Sequence, residues 1–162
     1  MSLLIVYSSG REIQYISHII KDKFNADIIE VKDLNRKRGF FNNIKSNFNA
    51  LRSTNTEISP ETIDLDDYNL ILVGCPSTMG NASPAIKTLI NNCDFSNKNV
   101  ILYTTTKANN ATGVLKQMKK LVEDNNGVVV NTFIQRVNDK SEQDLMVNTI
   151  KLLPHLDIDL YI

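Results

Sequence analysis

Five apolar runs rich in β-branched residues, Leu3–Tyr7, Ala26–Val31, Leu70–Gly74, Val100–Thr104 and Val128–Phe133, alternate with longer stretches of helical period. This alternation restricts the fold more than any other feature. Strands covered by helices on both faces read as near-continuous hydrophobic runs, and parallel neighbours need long crossovers between them. The expected architecture is α/β, a three-layer α/β/α sandwich around a five-stranded parallel sheet. Right-handed crossovers favour the strand order 2-1-3-4-5, with a switch point between the first and third strands.

The helical segments carry their own signatures. Ile13, Ile16, Ile20 and Phe24 recur at helical spacing and mark one face turned to the sheet. Pro84, Ile86, Leu89 and Ile90 suggest a second helix. Val114, Leu115, Met118, Leu121 and Val122 suggest a third, stopped by Asn125-Asn126-Gly127. A fourth starts at Ser141, with Glu142 and Asp144 in its first turn, and runs through Leu145, Ile150 and Leu153 to Pro154, where it is expected to cover the sheet. Between the second and third runs, Phe40, Phe41, Ile44, Phe48 and Leu51 have helical spacing, and Ser53–Pro60 reads as a loop.

At 162 residues, with 42% hydrophobic and 22% charged residues, the chain is expected to form one domain over 1–162 that needs no disulfide or structural metal. Cys75 and Cys93 are too far apart for a CxxC motif. Eighteen basic and eighteen acidic residues leave a formal charge of +0, so no global field favours nucleic acid or a membrane surface. Lys32, Arg36, Lys37, Arg38, Lys45 and Arg52 form a local basic run, read as a solvated surface or as a dock for an acidic partner. Met1–Tyr7 reads as a first strand rather than a secretory leader, and no run reaches the length of a membrane span. A cytoplasmic location is expected.

In an open parallel sheet, ligands settle beyond the carboxyl ends of the strands, near exposed backbone N–H groups and helix N-termini. Three loops meet that description. Ser8, Ser9, Gly10, Arg11, Glu12 and Ile13 link a strand to a helix, where a phosphate can sit; the alternative is that Ser8 and Ser9 cap the helix and Arg11 is solvated. Glu12 repels an anion there unless it points to solvent. In the second loop Pro76 and Pro84 restrict the backbone, Gly80 permits positive φ, and Ser83 is a candidate cap. The third loop, Thr104 to Thr112, offers Thr105, Thr106 and Lys107 as donors, with Asn109 and Asn110 suited to left-handed geometry; a polar helix entry capped by Thr112 is equally compatible.

Gly74, Pro76, Gly80, Asn81, Ser83 and Pro84 resemble the loop of flavodoxin-like proteins that runs from Gly-Ser-Pro through an aromatic residue and a Gly-Asn pair to Ser-Pro. Thr78 stands where that family usually has Tyr, and Arg11 and Glu12 replace the Asn-Thr pair of its phosphate loop. The resemblance implies a flavodoxin-like fold holding FMN noncovalently. Ser8, Ser9, Gly10, Arg11, Glu12 and Ile13 then face the phosphate; Pro76, Ser77, Thr78, Met79, Gly80 and Asn81, with Thr105, Thr106, Lys107, Ala108 and Asn109, surround the ring. No side chain is assigned as a catalytic acid or base, because electron transfer belongs to the cofactor.

Three functions are compatible with that resemblance: an electron carrier between redox partners, an FMN-dependent NAD(P)H or quinone oxidoreductase with an open flavin face, and an interaction module that has lost FMN. The expected partners are redox proteins or a small-molecule electron acceptor, and a homodimer is left open. Cys75 lacks the Cys-x5-Arg pattern of a phosphatase, and His18 and His155 have no Ser nucleophile elbow between them.

Overall fold

The structure, a computed structural model, describes residues 3–35 and 56–162. The apolar residues from Phe40 to Leu51 and the basic residues Arg36, Lys37, Arg38, Lys45 and Arg52 lie outside the described residues.

The first strand, β1 (Leu3–Ser8), is buried along its whole length. Its side chains alternate between two separate apolar clusters: Leu4 and Val6 join one, and Leu3, Ile5 and Tyr7 join the other. That division is why the run shows no polar alternation, since both faces of the strand are covered. Around it lie β2 (Asp27–Asp33), β3 (Ile58–Ser59), β4 (Leu70–Pro76), β5 (Asn99–Thr106) and β6 (Val128–Arg136), in the sheet order β3-β2-β1-β4-β5-β6.

Five long strands keep the expected parallel order, but the sheet has six strands rather than five. The extra strand, β3, lies within the segment read from the sequence as a loop, and pairs antiparallel with β2 through Lys32–Ser59 and Asp33–Ile58. Two residues are too few to show a period of two. Tertiary contacts hold them instead: Ile58 is buried, the Leu34 amide donates to the Glu57 carbonyl at 2.8 Å, and Thr56 Oγ1 donates to Asp33 Oδ1 at 2.8 Å.

Helix α1 (Arg11–Phe24) buries Ile13, Ile16 and Ile20, while Phe24 is partly buried against the same cluster. Asn25, at φ 49°, ends it in the left-handed region. On the opposite face, α2 (Pro84–Asn92) contributes Ile86, Leu89 and Ile90, and α3 (Thr112–Asp124) contributes Val114, Leu115, Met118 and Val122. Asn126, at φ 66°, makes the expected stop after α3.

Helix α4 (Glu142–Leu152) is started by a capping box in which Ser141 Oγ accepts from the Asp144 amide and Asp144 accepts from the Ser141 amide. Donation from the Ser141 hydroxyl at 2.7 Å, and from the Ser141 amide at 2.9 Å, holds the Asp144 carboxyl below its ordinary range. Contrary to expectation, Ile150 is 49% exposed and does not cover the sheet. Leu145 is buried, and two 3₁₀ turns, Leu153–Leu156 and Ile158–Leu160, seat Leu153, Leu156 and Ile158 in the cluster instead. The helix gives way at Leu153-Pro154, where proline supplies no amide to continue the ladder. Among the described residues no helix is long and apolar enough to cross a membrane.

Candidate functional site

The loops after β1, β4 and β5 converge at the carboxyl edge of the sheet. A Cβ added at Gly10 would lie 3.2 Å from Pro76 Cγ, so the first loop packs directly on the second. The Ser77 amide donates to the Thr105 carbonyl at 2.8 Å and ties the second loop to the third. Between them lies a hollow of about 310 Å³.

Glu12, Pro76, Ser77, Met79 and Gly80 line one part of this hollow, and Thr105, Thr106, Lys107 and Ala108 line another. Two further lining residues, Asn110 and Val137, are absent from the sequence-based site. Val137 belongs to the loop after β6, outside the three edges expected at a switch point; its amide donates to the Thr106 carbonyl at 3.0 Å.

Met79 and Gly80 form the tip of a tight turn. Thr78 and Asn81 exchange both backbone hydrogen bonds, at 3.1 and 3.0 Å, and the two residues between them have φ of 52° and 77°. Positive φ at both central positions is the requirement of a type I′ turn. Gly80 meets it freely, as expected, whereas Met79 holds a left-handed conformation that costs an ordinary L-residue about 1–2 kcal/mol. Its side chain does not fill the core: Met79 is 73% exposed at the rim.

The turn is held from behind. Gln117 of α3 accepts from the Ala82 amide at 3.1 Å and donates to the Gly80 carbonyl at 3.3 Å, while Asn81 Nδ2 donates to the Met79 carbonyl at 3.1 Å. Gln117 is the positioning residue that the sequence did not reveal. Its partners lie within hydrogen-bonding distance but 35 or more residues away along the chain.

In the first loop Ser8 is 3% exposed, and its hydroxyl is the one fully buried side-chain oxygen without a hydrogen-bond partner among the described residues. Such a group costs about 1–3 kcal/mol relative to a satisfied one. Ser9 Oγ donates to Glu30 Oε1 at 3.1 Å. Neither serine caps α1: Gly10 occupies the cap position, and among the described residues no side-chain capping bond is made. Arg11, 82% exposed, is bridged to Glu142 at 2.8 Å and is not simply solvated. Glu12 turns toward the hollow, while the Ile13 side chain is fully buried in the core and leaves only its backbone at the loop.

The third loop departs from expectation in its backbone. Neither Asn109 nor Asn110 has positive φ. Their side chains work instead: Asn109 Oδ1 accepts from Arg136 at 3.1 Å, and Asn110 Oδ1 accepts from the Thr112 amide at 2.8 Å. Asn110 thus satisfies an amide at the start of α3, and Thr112 is the first helical residue rather than the cap. Thr105 and Thr106 are buried, and Thr106 Oγ1 accepts from the Ala108 amide at 3.0 Å. Ser83 precedes α2 in the cap position but makes no side-chain capping bond.

Cys75 has no exposure, and burial pushes its thiol up to about 12. A neutral thiol is a poor nucleophile. The hollow therefore offers backbone groups, hydroxyls, one carboxylate and one ammonium, a set suited to holding a flat polar ligand rather than attacking one.

The sequence pattern of the flavodoxin family matches residues 40–150 of this chain. No curated protein sequence matches it. Among solved structures, a candidate flavoprotein from Bacteroides uniformis aligns with TM-score 0.72 at 15% identity, over 93% of this chain and 97% of that one. A flavoprotein from Lactobacillus acidophilus, solved in complex with FMN, aligns with TM-score 0.66 at 22% identity, over 82% of this chain and 92% of that one. Oxidised flavodoxin 2 from Bacillus cereus aligns with TM-score 0.56 at 14% identity, over 96% and 99%. At these identities the structural likeness concerns the fold, whereas the family pattern spans most of the sequence: this chain belongs to the flavodoxin family.

Proposed function

We propose that this chain binds FMN noncovalently at the junction of its three edge loops and passes electrons between redox partners in the cytoplasm. One observation carries the reading: a buried, unpartnered Ser8 hydroxyl stands at the end of β1, beside a helix start with no side-chain cap. An orphaned donor and open first-turn amides together suit an anionic oxygen. The adjoining hollow supports the same reading, since its volume of about 310 Å³ and its mixed lining suit a flat heterocycle.

The residues present therefore fit the cofactor. Ser8, Gly10 and the first turn of α1 hold the phosphate. Ser9 is engaged with Glu30 and Arg11 with Glu142, so both contribute less than their position in the loop suggests. The Met79–Gly80 turn and the Thr105–Ala108 segment flank the ring. Lys107 favours an anion at the hollow, while Glu12, which turns into it rather than to solvent, opposes one. When bound, the flavin supplies electron transfer; the protein supplies binding, orientation and electrostatics.

Titration of the cofactor-free chain into FMN, followed by flavin fluorescence, tests the proposal. Saturable quenching at one flavin per chain is expected. Unchanged fluorescence at a large excess of protein contradicts it.

A second reading, an FMN-dependent NAD(P)H or quinone oxidoreductase, is favoured by the rim. Thr78 stands in place of the family's aromatic, and Met79 extends into solvent, so the rim leaves room for a planar substrate. Steady oxidation of NAD(P)H with a quinone acceptor supports this reading, and bound flavin without turnover discards it.

A further inference from the structure

We propose that Met79 is a reversible oxidation site whose sulfoxide loosens the hold of the loop on the heterocycle. The second half of this inference rests on the flavin reading; the first rests on the structure of the loop.

Thioether sulfur reacts with electrophilic oxygen donors through its lone pair, and accessibility controls the rate because no proton need leave first. The described methionines differ widely in that respect. Met118 is fully buried, with Cys75 Sγ 3.7 Å from its sulfur. Met146 is 38% exposed on α4, whereas Met79 is 73% exposed.

Exposure alone distinguishes Met79 only by degree, and its setting adds a functional consequence. It lines the hollow, it occupies a left-handed position that a methionine adopts at a cost, and its backbone is fixed by Asn81 and by the Gln117 bonds to the flanking residues. A rigid backbone with a free side chain presents the sulfur at the rim. There the flexible, polarizable thioether can cover an aromatic ring in place of the missing aromatic side chain.

The oxidant is a hydroperoxide. Its O–O bond breaks as an S–O bond forms, sulfur loses two electrons, and with hydrogen peroxide the departing oxygen leaves as water. The product is a polar, chiral sulfoxide, which gives up apolar contact with the ring. A methionine sulfoxide reductase breaks the S–O bond with two thiols, which supply two electrons and two protons and become a disulfide, so that the oxygen leaves as water and the thioether is restored.

The experiment treats the full chain with limiting hydrogen peroxide. Peptide mass spectrometry follows each methionine, and FMN affinity is measured before oxidation, after it and after reductase treatment. Met79 is expected to gain oxygen before Met146 and Met118, with the FMN Kd rising roughly two- to tenfold and returning on reduction. Met79→Leu, compared with its own untreated affinity, should show no rise on peroxide treatment, whereas Met146→Leu, remote from the hollow, should bind FMN as the natural chain does and keep the rise. Oxidation of Met146 at the same rate as Met79, or an oxidised chain that binds FMN as tightly as the untreated one, overturns the inference. A chain that binds no FMN before treatment refutes the flavin reading and with it the loosening, while the order of oxidation still decides whether Met79 is the modification site.

Discussion

Gly74 and Tyr103 face each other across β4 and β5, and the Tyr103 ring fills the volume in which a side chain at position 74 would stand. The ring cannot retreat easily. It stacks on Phe133 with centroids 5.1 Å apart, and its hydroxyl shares a 2.5 Å hydrogen bond with Ser17 of α1. Gly74 thus matches the family loop for a packing reason. Gly74→Ala should lower stability by about 1–3 kcal/mol, the usual cost of overpacking a filled core. Thermal melting checks this, and an unchanged midpoint would contradict it.

Ser8→Ala should have effects of opposite sign on the free and loaded protein. Removing a buried hydroxyl without a partner is expected to leave the free chain as stable or slightly more so. Loss of a donor to a charged phosphate should weaken FMN binding by about 1.5–3 kcal/mol, with little effect on riboflavin, which has no phosphate. Parallel titrations with the two ligands measure the difference. Equal weakening of both would remove Ser8 from the phosphate site.

Gln117→Ala should loosen the turn that carries Met79. Its side chain accepts from the Ala82 amide and supports the Gly80 carbonyl, so the variant should lose about 0.5–1.5 kcal/mol per hydrogen bond removed and weaken FMN binding. Hydrogen exchange at the Ala82 amide provides a local readout. Faster exchange is expected there, and no acceleration would show that the loop does not depend on this clamp.

Alkaline pH should destabilise the fold through its buried acids. Burial raises the Cys75 thiol to about 12 and the Tyr103 phenol well above its ordinary value. The unfolded chain releases these protons at lower pH than the native chain does. Their contribution is therefore intact below the ordinary thiol value and declines as pH rises through the interval up to the native values. Melting temperature should fall as pH rises above about 9. At pH 8 a thiol reagent should leave Cys75 unmodified in the native chain and label it on unfolding, which peptide mapping reports.

Much of the architecture was legible because it rests on local periodicity. Ile13, Ile16 and Ile20 follow from spacing alone, and Gly80 announces its positive φ. Features set by contacts between distant parts of the chain were not legible. β3 has two residues and no pattern of its own. Arg11 reads as a phosphate partner or a solvated charge until its bridge to Glu142, 131 residues away, is known. Gln117 is one polar residue among several on α3, and only the turn opposite distinguishes it. Asn110 shows the limit within a single loop. An asparagine suited to left-handed backbone serves through its side chain instead.

The central claim is that three edge loops hold one phosphorylated heterocycle, and amide chemical-shift mapping with FMN tests it most directly. Titration into isotopically labelled protein should shift amides in three groups together: Ser9 to Ile13, Ser77 to Asn81, and Thr105 to Asn109. Absence of shifts at saturating FMN, or shifts confined to a different face of the sheet, would contradict the account.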